Sequence, residues 1–343
     1  MYPHHIFIIA EAGVNHNGSL EMAKKMVQVA AISGADAVKF QTFSPRDMVT
    51  REAGKADYQI NSTRKTETQF EMLKKYELSF KSHIELMETC RSERIEFLST
   101  PFDLSSIELL VKLGLKKWKI PSGEITNIPY LRKIASLGQE IILSTGMADL
   151  VEISEALDIF LTSGITPDMI TVLHCNTQYP TPMQDVNLKA MQTIKEVFPQ
   201  IHVGYSDHTK GIEVPIAAAA MGAEIIEKHF TLDNDLPGPD HKSSLEPEEL
   251  AAMIKAVKNI EIAIGDGVKR HTSSELKNKE IVRKSIVAIR RIEKDEILSS
   301  NNIGVKRPGT GISPRYWDKV IGRKALKAYN KDEMIYFPSF YKS

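Results

Sequence analysis

Cysteine is nearly absent from this sequence: 343 residues hold two, Cys90 and Cys175, and neither belongs to a CxxC pair. Two thiols are too few for a disulfide framework in a chain of this size, so a reducing cytoplasm is the expected setting. Long apolar runs are missing as well, and none approaches the roughly 20 residues that a membrane span needs. Net charge is also lacking: 44 Lys+Arg stand against 44 Asp+Glu. That balance removes the electrostatic case for nucleic acid or an anionic membrane as a main partner and turns attention to a small-molecule substrate. The N-terminus has no basic segment, and its first apolar run, Ile6-Phe7-Ile8-Ile9-Ala10, meets Glu11 too soon for a signal peptide.

What is present is a repeated unit. Short apolar runs at 6–12, 37–43, 96–101, 118–122, 141–145, 170–176, 202–206 and 224–230 alternate with amphipathic stretches such as 20–31, 84–91, 152–161 and 212–221. Runs without strict alternation suit strands covered on both faces, and eight strand-helix units predict an α/β fold, a closed (β/α)8 TIM barrel. A doubly wound sheet is the runner-up, disfavoured because no Gly-rich phosphate fingerprint follows the first run. The barrel is expected over 1–268, with a polar linker over 269–282. From 283 to 343 short β-like runs alternate with turns, which predicts a compact second domain too small to be comfortable alone.

Polar residues gather where the strands should end. His208 and His229 close neighbouring strands; adjacent parallel strands put them about 5 Å apart sideways, a gap that a metal ion fits. A satisfied strand-end histidine is the plainer reading of either one alone. Lys39 and Lys119 interrupt apolar runs and need a counter-charge. A phosphate or carboxylate would supply it, helped by the hydroxyls of Thr100, Ser122, Ser144 and Ser206; the alternative is pairing with an internal acid such as Glu11 or Glu227. Two imidazoles with open positions favour a first-row divalent ion such as Mn²⁺ over Mg²⁺. Glu11, Glu124 and Asp240 are candidates for proton transfer or for holding sugar hydroxyls. His16, His174 and His241 read as hydrogen-bonding groups, Met147 and Met183 as packing, and Cys175 lacks an identifiable base.

Several ordered motifs carry a resemblance. They include Ile9-Ala10-Glu11-Ala12-Gly13-Val14-Asn15-His16-Asn17-Gly18, Val38-Lys39-Phe40-Gln41-Thr42, Lys119-Ile120-Pro121-Ser122-Gly123-Glu124, Gly204-Tyr205-Ser206-Asp207-His208, Glu227-Lys228-His229-Phe230 and Lys306-Arg307-Pro308-Gly309. In order and over essentially the whole chain, they resemble the sialic acid synthase family.

The resemblance implies a TIM barrel joined to a C-terminal antifreeze-like (SAF) domain, in a domain-swapped homodimer where each small domain covers the partner's barrel mouth. It implies condensation of phosphoenolpyruvate with an N-acetylated hexosamine to give a nine-carbon 2-keto acid sugar and phosphate, by C–O cleavage. Lys39, Thr100, Lys119, Ser122, Ser144 and Ser206 match the family's phosphoenolpyruvate positions, and His208 and His229 its Mn²⁺ ligands. Glu11 and Glu124 are implied in catalysis with Lys119. Gln41, Glu124, Tyr179 and Asp240 fall around the amino sugar, and Arg307 matches the arginine that reaches toward the N-acetyl group.

N-acetylmannosamine is the first expected sugar and 2,4-diacetamido-2,4,6-trideoxymannose, leading to N,N'-diacetyllegionaminate, the second. The Lys55-Ala56-Asp57-Tyr58-Gln59 pattern looks like the branch that contains these two synthases rather than the pseudaminate branch. Gln178 stands where many relatives carry Glu. A metal-dependent aldolase on the same barrel and an ice- or carbohydrate-binding module in the C-terminal domain are the rival readings.

Overall fold

The eight apolar runs form eight strands: β1 (Phe7–Gly13), β2 (Ala37–Thr42), β3 (Glu96–Pro101), β4 (Lys117–Ile120), β5 (Glu140–Ser144), β6 (Ile170–Cys175), β7 (His202–Asp207) and β8 (Ile225–His229). One long helix follows each: α1 (Leu20–Ser33), α2 (Phe80–Glu93), α3 (Leu104–Lys112), α4 (Ile128–Ala135), α5 (Leu150–Thr162), α6 (Lys189–Val197), α7 (Glu213–Ala220) and α8 (Pro247–Ile264). The structure is a computed structural model that describes residues 5–56, 59–60, 63 and 67–340.

Local signals explain the helices. In α1, Ala23, Met26, Val27 and Ala30 recur at the spacing of one helical face and are buried, Ser19 caps the first turn, and Gly34 ends the helix in the left-handed conformation at φ 87°. Asp149 and Glu152 close a capping box at the start of α5.

The strands run parallel in the order β3-β2-β1-β8-β7-β6-β5-β4, the TIM-barrel order expected from the sequence. One detail differs from a fully closed ring: among the described residues no backbone ladder joins β3 to β4. Side chains seal that seam instead. Lys117 Nζ lies 3.4 Å from Glu96 at one end, and the Tyr130 hydroxyl donates to the Pro101 carbonyl at 2.8 Å at the other.

The barrel interior explains where the polar groups stand. Ile9, Ala37, Leu98, Ile142, Leu173 and Ile225 pack together as an apolar plug. On β7 the same level is held by Gly204, where a Cβ would come within 2.5 Å of the Ile225 carbonyl oxygen and 2.6 Å of Leu173. Strand side chains alternate between faces, so the next inward residue lies two positions on. That step leads from the six plug residues to Glu11, Lys39, Thr100, Ser144, Cys175 and Glu227, from Gly204 to Ser206, and on β4 from Lys117 to Lys119. One turn of the pleat converts an oily plug into a polar floor.

The chain divides into two compact units, Met1–Gly265 and Asp266–Ser343. The second holds β9 (Ser285–Ala288) antiparallel to β10 (Ile303–Lys306), over a core that includes Ile286, Ile292, Leu298, Val320, Tyr329 and Ile335. Its ion pairs lie at the surface, as between Arg291 and Glu293 at 2.6 Å. The segment expected as a polar linker contains a helix, α9 (Ser273–Val282), which buries no residue and is tied to the small unit by a Gly309 N–H to Glu280 carbonyl bond of 2.7 Å. A Thr272 capping box with Glu275 explains why this polar stretch is helical.

Candidate active site

A cavity of about 520 Å³ opens above the polar floor. Of the residues singled out from the sequence, Glu11, Lys39, Gln41, Thr100, Lys119, Ser122, Ser144, Tyr179, Ser206, His208 and His229 all line it. Strand ends of a (β/α)8 barrel are where such groups converge.

The lysines have the internal partners that the sequence left as the alternative. Lys39 Nζ lies 2.8 Å from Glu11 Oε2 and 3.6 Å from Glu227 Oε2, and donates to Thr100 Oγ1 at 2.8 Å. Lys119 Nζ donates to Glu227 Oε1 at 3.1 Å, and Ser206 Oγ donates to the same oxygen at 2.7 Å. Two ammonium groups therefore face two carboxylates, and the floor is formally neutral. Glu227 is the hub; the sequence reading offers it only as one possible counter-charge to the lysines and does not place it among the candidate site residues. Its signal was there: in β8 the residues 225, 227 and 229 alternate inward, so an acid two positions before His229 must share its cavity.

Burial and neighbours set the charges. Burial raises Glu11 to about 7 against the opposing pull of Lys39, with the Glu227 charge adding to the rise. Burial also works against ionisation of Glu227, but Lys119 and Lys39 together hold its carboxyl well below the usual range. Burial opposes the Lys39 charge, yet Glu11 and Glu227 hold it above the ordinary value, whereas Lys119 is held below it by burial.

The two histidines are held neutral. Burial lowers His208 to about 4 and takes His229 well below its usual value. The ring centroids are 5.4 Å apart, and Tyr179 stacks on His208 at 4.1 Å. His208 Nδ1 is bonded to the Asn176 carbonyl at 2.5 Å, which sets the tautomer and leaves the Nε2 lone pair free. His229 Nδ1 is buried and has no hydrogen-bond partner among the described residues. Gly13, at φ 52°, gives that ring room: a Cβ there would stand 3.2 Å from His229 Cε1. A divalent cation fits this donor set, with remaining positions left to oxygens, since among the described residues no third His, Cys, Asp or Glu completes a cluster.

The other residues divide. Glu124, in the turn after β4, does not line the cavity; it accepts from Asn127 Nδ2 at 2.6 Å, and burial raises its pKa. Asp240 is buried outside the lining, and burial lifts it to about 7. Arg307 lies in the second unit, exposed, before a cis bond to Pro308. Cys175 has a neighbour after all, Ser122 Oγ at 3.3 Å, and Ser122 also accepts from the Gly146 N–H at 2.8 Å. Met147, read as packing, is 74% exposed and lines the cavity. His16, His174 and His241 are hydrogen-bonding groups as expected, to the Gly18 N–H, the Val186 carbonyl and Thr231 Oγ1. In the loop after β2, Ala56 lines the cavity, while Asp57 and Tyr58 lie outside the described residues.

Residues 26–269 match the NeuB family and residues 283–340 the SAF domain. The chain belongs to the NeuB family. It is 54% identical to the N,N'-diacetyllegionaminic acid synthase of Campylobacter jejuni, over 96% of this chain and 98% of that protein. The synthase of the same name from Legionella pneumophila is 48% identical, over 93% and 90%. The crystal structure of N-acetylneuraminic acid synthetase from Leptospira borgpetersenii, in complex with citrate, superposes with a TM-score of 0.70 at 36% identity, covering 80% of this chain and 90% of that one. The resemblance read from the sequence motifs is borne out, and with it the reading of this NeuB-family chain as a synthase enzyme.

Proposed function

We propose that this NeuB-family enzyme condenses phosphoenolpyruvate with 2,4-diacetamido-2,4,6-trideoxymannose, giving N,N'-diacetyllegionaminate and inorganic phosphate. The observation that carries the choice of sugar is the 54% identity to the Campylobacter synthase over nearly all of both chains. It reverses the order expected from the sequence, which put N-acetylmannosamine first. Ala56, Phe102, Pro121 and Met147 give the cavity an apolar side, which suits the methyl group of a 6-deoxy sugar. N-acetylmannosamine stays the second reading, supported by the likeness to the Leptospira enzyme.

In this reading Lys39 and Lys119 hold the phosphate and carboxylate of phosphoenolpyruvate, and Thr100, Ser122, Ser144 and Ser206 add hydroxyl donors. Among the described residues the buried Ser144 Oγ has no hydrogen-bond partner, as a group reserved for a ligand would be. A divalent ion on His208 and His229, most simply Mn²⁺, would supply Lewis-acid polarisation of the sugar carbonyl. Carbon 3 of phosphoenolpyruvate attacks that carbonyl and positive charge develops at carbon 2, where water adds. Glu11, with a pKa of about 7, is matched to take the proton of that water at neutral pH. Collapse with C–O cleavage releases phosphate. The proposal includes a cytoplasmic setting and a homodimer in which Arg307 of each SAF domain reaches the partner's sugar; family membership and the SAF match support the latter.

Phosphate release from phosphoenolpyruvate with each amino sugar in turn, in Mn²⁺, tests the choice. The diacetamido sugar is expected to give the higher kcat/KM; equal or better use of N-acetylmannosamine would restore the first expectation. Formation of the keto acid sugar from pyruvate, with no phosphoenolpyruvate consumed and no phosphate released, would favour the aldolase. Labelled bridging oxygen is expected to leave with phosphate, and its retention in the sugar acid would refute C–O cleavage.

A further inference from the structure

Next to the two histidines in the chain sits a second polar assembly that takes no part in lining the cavity. Asp207 and Lys228 are register partners on β7 and β8, and each is the chain neighbour of one histidine. Both side chains are 0% exposed, and they form an ion pair at 2.5 Å. Lys228 Nζ also donates to the Thr209 carbonyl at 2.5 Å. Thr209 returns to Asp207 twice, through its N–H to Oδ1 at 3.2 Å and its hydroxyl to Oδ2 at 2.9 Å. His208 is thereby bracketed: the residue before it and the residue after it are both fastened to a side chain of β8.

A buried ion pair is commonly worth no more than the apolar pair that could replace it. Stability is therefore a poor reason for burying two full charges in this wall. Position is a better one. Two imidazoles that share an ion must keep a set spacing, and groups behind the ligands commonly tune metal affinity by about 10- to 100-fold. We propose that Asp207, Lys228 and Thr209 are positioning residues, a clasp that holds the strand ends bearing His208 and His229 at the spacing a divalent cation needs. The proposal rests on the reading of those histidines as metal ligands.

Binding of Mn²⁺ alone to the full chain, read from the electron paramagnetic resonance of the free ion, separates the clasp from a general core role. The variants are Asp207→Asn, Lys228→Met, the double variant and, as control, His208→Ala; circular dichroism reports the fold. Each clasp variant that keeps the fold is expected to raise the Kd for Mn²⁺ by about 10- to 100-fold. The double variant leaves no unpaired charge in the wall, so a folded double variant with wild-type Mn²⁺ affinity overturns the proposal. If Lys228→Met and the double variant do not fold, Asp207→Asn, which keeps the side-chain shape, decides by the same measure. Unchanged affinity in His208→Ala would instead remove the metal reading on which the clasp depends.

Discussion

Lys39 and Lys119 share one cavity with His208 and His229, and burial has acted on the two pairs with different results. Lys39 touches two carboxylates and is held above its ordinary pKa in spite of burial. Lys119 has one carboxylate, with the charge of Lys39 nearby, and falls below its ordinary value. At the histidines burial outweighs what opposes it, the Asn176 carbonyl and the Asp207 and Glu227 charges at His208 and the Glu227 charge at His229, and both rings stay neutral. Burial sets the direction at Lys119 and at both histidines, and only at Lys39 do neighbouring carboxylates outweigh it.

Removing an imidazole breaks this contrast most severely. His208→Ala or His229→Ala is expected to lower turnover by ~10³-fold or more, the size of effect that losing a Lewis acid produces, and a chelator should do the same to the wild type. Full activity in either variant, measured as phosphate release, would leave the imidazole side without its assigned use.

Cutting the hub on the cationic side comes next. Glu227→Gln leaves two buried lysines with one carboxylate between them, and breaking a buried pair in this way costs ~3–5 kcal/mol. Urea unfolding measures it; a variant as stable as the wild type would mean that the lysines hold their charge without Glu227.

The mildest test uses pH. Burial raises Asp240 from 3.8 to about 7, so the folded state binds this proton more tightly than the unfolded chain. The stability it contributes is whole below pH 3.8 and is lost as pH rises toward 7. Asp240→Asn should therefore gain on the wild type with rising pH, by ~2 kcal/mol between about pH 5.5 and 8. A gap that narrows over that range would contradict the burial. His16 and His208, lowered from 6.5 to about 4, act with the opposite sign: they favour the folded state above pH 6.5 and withdraw that support as pH falls toward 4.

The strands and most of the cavity were legible because a buried parallel strand writes both of its duties in one line. Ile9 and Glu11, or Leu98 and Thr100, show plug and floor two residues apart. Pairing across the barrel was less legible. That Glu227 would serve Lys39, Lys119 and Ser206 together depends on which strands are neighbours and on the level each residue occupies, and no single run records that. The helix over Ser273–Val282 escaped notice because it lacks an apolar face; capping alone marks it. Met147 was misread because sequence can name an apolar residue but not the side of the wall on which it stands.

The seam between β3 and β4 gives the cradle an unusual mounting. Thr100 belongs to one bank and Lys119 to the other, so the donors proposed to grip a single anion come from the two ends of one eight-strand ribbon. An anion held from both banks would be the rung that the backbone leaves out, and the substrate would then be a structural member of the barrel for as long as it stays.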